Sequence, residues 1–297
     1  MLKIEFLYWG MSSIAFKKIL VGFAFSPNLK ANIFESLRMA NYFEGELIFI
    51  HAGSKTPEKE SRFRDIVASS PVRASKITIE WRVGNPVRTL LAASKEFDVD
   101  LIMLGALKRE NVVKFYLGSI ARKITRKAKC SVLLLINPSV ERKPCQHIVV
   151  NGFDSPQTRH TIESSFVVAK ALGAKKISLV EEISQSKVAI SVDDDRSLRQ
   201  ATIKKEKLRR QEQTRVKDVL KKLPSKLTTN INWTTQSIFG RRGYSIGHYA
   251  KVVRADLLVM NAQENLSFID WLITRDLEHI LAELPTDVLI INSKENE

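Results

Sequence analysis

The chain has 297 residues, of which 44% are hydrophobic and 27% charged, and a formal net charge of +15. That length suits two domains of ordinary size, and the composition is that of a folded chain rather than a disordered one. No run of eighteen apolar residues occurs, so no membrane-spanning helix is expected; the two cysteines, Cys130 and Cys145, give neither a disulfide framework nor metal-ligand spacing and fit a cytoplasmic location.

Residues 1–140 carry +10 of the charge and residues 141–297 the remaining +5. A basic surface favours phosphate-bearing partners. No aromatic platform is interleaved with the basic residues, and no helix-turn-helix or zinc-finger pattern appears. Specific nucleic-acid binding is therefore not expected.

Residues 1–16 read as an N-terminal extension. Phe6, Leu7, Tyr8 and Trp9 are apolar or aromatic, but Glu5 and the lack of a small-residue cleavage site argue against a signal peptide. Met11 offers a second start. Lys17 to Ala24 reads as a first strand, with Ser26-Pro27-Asn28 as a turn and helix cap. In the segment from Ala31 to Phe43, Ile33, Phe34, Leu37 and Ala40 share one helical face. Leu47 to Ile50 forms a second strand, followed by His51. Lys55 to Ser70 is a charged short helix, and Lys76 to Val83 alternates like a third strand. Gly84-Asn85-Pro86 is a turn that places proline in the first turn of a helix from Val87 to Phe97.

Asp98 to Ile136 is the most informative stretch. Leu101 to Leu104 is a short bounded apolar run, which reads as a buried strand. Gly105 ends it. After a polar, basic loop, Gly118-Ser119 opens an amphipathic helix with Ile120, Ala121, Ile124 and Ala128 on one face. Val132 to Ile136 is a further apolar strand. Strand, glycine loop, helix, strand is a βαβ unit. The helix start supplies unpaired N–H groups, the positive end of a dipole and a hydroxyl, which suits phosphate; the alternative is that the glycines only make a tight turn.

These residues resemble the universal stress protein family. ATP-binding members carry Gly, two residues, Gly, nine residues, Gly-Ser/Thr; Gly105, Gly118 and Ser119 stand at that spacing, with Lys108 in place of the middle glycine. The resemblance implies a five-stranded parallel α/β domain of adenine nucleotide alpha hydrolase-like type with strand order 3-2-1-4-5. It also implies Mg-bound ATP as ligand, with Ala24, Ala52, Leu104, Gly105, Lys108, Gly118, Ser119 and Ile120 at the contact positions. Ala24 stands where the family commonly has an aspartate near the sugar. Lys108 either obstructs backbone approach or supplies a replacement charge.

The second half repeats the first. Ile148-Val149-Val150 aligns with Ile19-Leu20-Val21 at an offset of 129, and from Gly240, which matches Gly84, the offset is 156. Such a repeat implies two equivalent domains, 17–140 and 146–293. The extra 27 residues fall in a charged insertion at about 183–225, predicted to hold one or two helices between Asp193 and Leu223. The glycine positions map to Asn261, Glu264 and Thr274, and the serine to Arg275, so the second copy is expected to have lost the site. Arg122 and Lys127 likewise become Glu278 and Glu283. Val132–Ile136 and Val288–Asn292 are apolar edges, and pairing them would give an internal pseudo-dimer.

Other motifs carry less. Asp154-Ser155 with His160 lacks an oxyanion site, and Asp193-Asp194-Asp195 reads as a loop before a helix. Arg241 and Arg242 lie in a glycine-rich loop, open to an anion or simply a turn. His51, His147, His248 and His279 read as structural. Two functions remain: a stress-response regulator binding ATP in the first domain only, or a scaffold acting through protein partners. A further homodimer is possible with either. No P-loop and no nucleophile–base pair appears, so no enzyme activity and no metal site are expected.

Overall fold

The computed structural model describes residues 16–105, 107–108, 115–116, 118–136, 138–240, 244–262 and 284–292, with backbone alone at 107–108 and 115–116. Residues 1–15, the Lys108 side chain, Arg241, Arg242, Glu264, Thr274, Arg275, Glu278, His279 and Glu283 lie outside that description.

The first half runs β1 (Lys18–Gly22), α1 (Leu29–Phe43), β2 (Glu46–His51), α2 (Pro57–Ala68), β3 (Ile77–Trp81), α3 (Pro86–Glu96) and β4 (Leu101–Gly105). A two-rung hairpin of β5 (Leu107–Lys108) and β6 (Phe115–Tyr116) follows, then α4 (Ser119–Lys127) and β7 (Ser131–Leu135). The second half runs β8 (His147–Asn151), α5 (Thr158–Leu172), β9 (Lys176–Ser184), α6 (Asp195–Lys221), α7 (Ser225–Thr228), β10 (Asn232–Gly240), α8 (Tyr244–Val252), β11 (Leu257–Asn261) and β12 (Asp287–Ile291).

Local chemistry explains several boundaries. Asn85 caps α3 by accepting from the N–H groups of Val87 and Arg88 at 3.1 and 3.3 Å, with Pro86 in the first turn. Asp194 and Ser197 form a capping box at the start of α6. The aspartate triplet is thus a helix start. Asn28 precedes α1 without a side-chain cap bond, contrary to the expected cap. Its side chain is exposed to water instead.

All the strands but β5 and β6 form one sheet in the order β10-β9-β8-β11-β12-β7-β4-β1-β2-β3. Each half has the order 3-2-1-4-5, and β12 meets β7 antiparallel through Leu134–Val288, Leu133–Leu289 and Val132–Ile290. That is the edge pairing expected from the apolar final strands. Its ends are closed symmetrically. The Ile136 N–H donates to Asp287 Oδ1 at 2.8 Å, and the Asn292 N–H donates to Ser131 Oγ at 3.2 Å. Residues 131 and 287, like 136 and 292, are related by the offset of 156.

The repeat is visible element by element. β1 and β8, and α1 and α5, differ by 129 at both ends, while β4 and β11, and β7 and β12, differ by 156. Asp100 Oδ2 accepts from the N–H groups of Lys17 and Lys18, both at 2.9 Å. Its counterpart Asp256 Oδ2 accepts from those of Gln146 and His147 at 2.8 and 2.9 Å. The insertion forms one 27-residue helix, α6, with the short α7 after it, and the flanking strands β9 and β10 reach nine residues each.

Two apolar layers sandwich the sheet. One joins α1, α2, α5 and α6 to one face through Ile33, Leu37, Phe49, Phe63, Phe166 and Val216. The other joins α3, α4 and α8 to the opposite face through Leu90, Ala121, Ile124 and Ile246. Each large side chain buried this way is worth roughly 1.5–3 kcal/mol relative to exposure. The strands read as continuous apolar runs because both their faces are covered.

Candidate functional site

Parallel strands of one half end together, so residues far apart in sequence meet at the carboxyl edge of the sheet. There the first half brings together Ala24 after β1, Ala52 after β2, Leu104 and Gly105 at the end of β4, and Gly118, Ser119 and Ile120 at the start of α4.

The α4 terminus is the part best suited to an anion. Gly118 precedes the helix without a side-chain cap bond, and no acidic residue occupies the first turn. Ser119 is exposed. Among the described residues no side chain caps this terminus, so its first-turn N–H groups and dipole suit a negative ligand. Ile120 departs from its expected place on the buried stripe, being 45% exposed. The buried stripe is Ala121, Ile124 and Thr125, and Ile120 projects from the first turn, past the end of the core layer. Lys108 has extended strand backbone, paired with Phe115. Any residue adopts that conformation, so a side chain in place of glycine carries no backbone penalty there.

Gly105 has a structural reason of its own. A Cβ at that position would lie 2.9 Å from Asn32 Oδ1, so the α1 amide fills the space that a side chain would take. Asn32 Oδ1 is buried without a hydrogen-bond partner. Leu104 is buried against Leu90 and Gly22 in the α3–α4 layer. Ala24 is exposed, and its carbonyl accepts from the Ser26 N–H at 2.8 Å.

Sequence reasoning missed an aromatic group beside Ala52. Phe23 lies 5.2 Å from the His51 ring and 4.7 Å from Phe63, while Trp81 lies 5.2 Å from His51 and stacks on Phe25 at 6.1 Å. Lys59 and Arg62 stand over Phe25 at 5.9 and 5.8 Å. His51 Nδ1 is 3.1 Å from the Phe23 carbonyl, so this histidine is held structurally, as expected. The signal was an aromatic residue at the end of each of three strands, which matters only once the strands are known to be neighbours.

The second half fills the same region differently. Asn261, the counterpart of Gly105, donates through Nδ2 to Ser155 Oγ at 2.7 Å and Thr158 Oγ1 at 3.2 Å. Thr158 bonds in turn to the Phe153 carbonyl. Ser155 is therefore committed to this clasp. Glu181 faces Ser237 as His51 faces Trp81 in the first half, joined to it by a 2.9 Å hydrogen bond, and Glu182 stands at the position of Ala52. Burial pushes the Glu181 carboxyl up to about 7, with Ser237 and Arg215 opposing it. Arg215 of α6 covers this region, bonded to the Gly152 carbonyl and paired with Glu212 at 2.9 Å and Asp154 at 3.5 Å. Glu182 Oε1 accepts from the Ile246 N–H near the start of α8 at 2.7 Å. His147 Nε2 lies 2.8 Å from Ser178 Oγ, a structural contact. Among the described residues no cluster of three metal-ligating side chains occurs, and no helix is long and apolar enough to cross a membrane.

Comparison with known proteins agrees with this architecture. Residues 15–135 match the model of the universal stress protein family. A universal stress protein of Synechocystis is 27% identical over 92 residues, which is 30% of this chain and 58% of that protein, so the match spans little more than half of the curated relative. A functionally unknown protein from Pseudomonas aeruginosa superposes with a TM-score of 0.66 at 14% identity, over 94% of each chain. A universal stress protein from Archaeoglobus fulgidus superposes with a TM-score of 0.64 at 15% identity, over 94% of this chain and 99% of that one. At those identities the two structures speak to the fold. Through residues 15–135, the chain is similar to the universal stress protein family.

Proposed function

We propose that the chain is a stress-response regulator whose first half binds an adenine nucleotide, ATP with Mg²⁺, while the second half is a copy that has given up the site. The observation that carries this is the contrast between the two carboxyl edges. In the first half, α4 begins at Gly118 with an uncapped, acid-free terminus. In the second, Asn261 is tied to Ser155 and Thr158, and Glu181 and Glu182 bring two carboxyls to the strand ends. These side chains fill the nucleoside side of the copy, where the first half has His51 and Ala52. The role is binding rather than turnover. Gly118, Ser119 and Ile120 receive the phosphates, Gly105 and Lys108 lie along the loop, and Ala24, Ala52 and Leu104 border the nucleoside.

A second reading is favoured by the aromatic group. Phe23, Phe25, His51 and Trp81 close much of the space at the ends of β1 to β3. In that case the chain is a scaffold working through protein partners. Mass spectrometry of small molecules released on denaturation, followed by titration of ATP and Mg²⁺, separates the two. Binding by the wild type that is lost in Gly118→Asp supports the nucleotide reading. Binding only in Lys108→Gly means that the lysine closes a surviving site. Binding in neither leaves the scaffold.

A further inference from the structure

The sheet has two outer edges, and they are built differently. β3 is five residues long and contains Glu80, with Lys76 and Arg82 flanking it. Charges on a short strand blunt an edge against further pairing. β10 is nine residues long, Asn232 to Gly240, and holds no charged residue and no proline. It pairs with β9 in unbroken register from Asn232–Lys176 to Gly240–Ser184, so no bulge bends it away. Charge, proline and bulge, three features that protect an edge strand, are thus absent from β10.

The direction of its free groups follows from one bond. The Asn232 N–H donates to the Lys175 carbonyl at 2.9 Å, on the β9 side. Main-chain groups alternate along a strand, so Trp233, Thr235, Ser237 and Phe239 turn their N–H and C=O outward, where the carbonyl of Ser237, itself 5% exposed, is met by the Gln236 side-chain amide at 3.2 Å. Among the described residues no strand lies on that side. Residues 232–234 and 236 are exposed, and Trp233 is 38% exposed.

We propose that β10 is a self-association edge, occupied by β10 of a second copy of this chain in antiparallel pairing about a twofold axis at Thr235. That register places Thr235 opposite its own copy and Trp233 opposite Ser237, each exchanging outward main-chain bonds, about six in all, of which two displace the Gln236 amide from the Ser237 carbonyl. Thr234 then faces Gln236. No like charges meet anywhere along the pair, which is the condition a strand must satisfy to pair with itself. The same chemistry already operates inside the molecule, where β7 and β12 join equivalent edges antiparallel. β10 is the second half's copy of β3 at the offset of 156, with Asn232, Gln236 and Ile238 where the first half has Lys76, Glu80 and Arg82.

The test uses the full chain. Sedimentation equilibrium over a dilution series is expected to give a mass near twice 33.7 kDa for the wild type. Thr235→Lys sets two ammonium groups against each other at the axis and is expected to return the mass to that of one chain, with an unchanged melting temperature. Thr235→Cys is expected to form a disulfide between copies under mild oxidation. The cross-link keeps the test valid if the lysine variant does not fold. A wild type that stays at one chain's mass overturns the proposal, even if it captures an extended peptide on this edge. So does a dimer that survives Thr235→Lys without the Thr235→Cys cross-link.

Discussion

Arg38 should be among the most sensitive side chains in the protein, although it is far from the candidate site. It is 5% exposed. Its Nη1 donates to the Val140 carbonyl at 2.9 Å, its Nη2 to the Ser139 carbonyl, and it pairs with Glu35 at 2.8 Å. The Ser139 N–H reaches the same carboxylate at 3.4 Å. Two residues of α1 thus clamp the segment joining the halves. Arg38→Met keeps most of the stem but strands a nearly buried carboxylate and two carbonyls. Removing one partner of a buried pair costs about 3–5 kcal/mol. Glu35 also lines a cavity of about 360 Å³ between the halves, where water can soften the loss. The lower end, about 3 kcal/mol, is therefore expected. Urea denaturation of the wild type, Arg38→Met, Glu35→Gln and the double variant measures it. The double variant should be less damaged than the sum of the singles, because no charge is left unpaired. A loss below about 1 kcal/mol for Arg38→Met, or strict additivity, would refute the clamp.

Three more expectations follow from the geometry. Burial pushes Asp287 up to about 7, against the Ile136 N–H and Lys143, which oppose it. A carboxyl raised in the folded state holds its proton there while the unfolded chain has lost it. Asp287 therefore withdraws stability as pH rises from about 4 to about 7, by roughly 2–4 kcal/mol. Asp287→Asn should gain on the wild type across that window in pH-dependent urea melts, and parallel curves would disprove it. Asp100→Ala and Asp256→Ala each strand two backbone N–H groups, and each should lose about 2 kcal/mol in denaturant unfolding, by similar amounts in the two halves. Glu44 and Gly173, 129 apart, both end their helices in the left-handed region, at φ 50° and 77°. Glu44→Gly should raise stability and Gly173→Ala lower it, each by about 1 kcal/mol, read from thermal or urea unfolding.

The fold was largely legible because the apolar runs recur. Ile148 to Val150 repeats Ile19 to Val21, and Leu257 repeats Leu101, at offsets the structure keeps to the residue. The pairing of final strands followed from their apolar edges. The side-chain detail of the site was less legible. Ile120 shares helical spacing with Ile124, and periodicity alone does not tell a first turn standing beyond the core from one lying on it. The Asn261 clasp joins residues about a hundred positions apart, and the Phe23–His51–Trp81 group draws on three strands. Asn32 explains Gly105 without any ligand, a contact that no spacing pattern announces.

The antiparallel junction at β7 and β12 has a geometric consequence for anything that would read the candidate site. Strands within each half are parallel, so joining the halves head to tail points their carboxyl ends toward opposite borders of the sheet. The two carboxyl edges therefore face away from each other, and among the described residues neither half adds a side chain to the other's edge. Under the proposed function, a partner reading the first mouth would meet a univalent object. Avidity from a second identical mouth is absent within one chain, and any increase in valency has to come from assembling more chains.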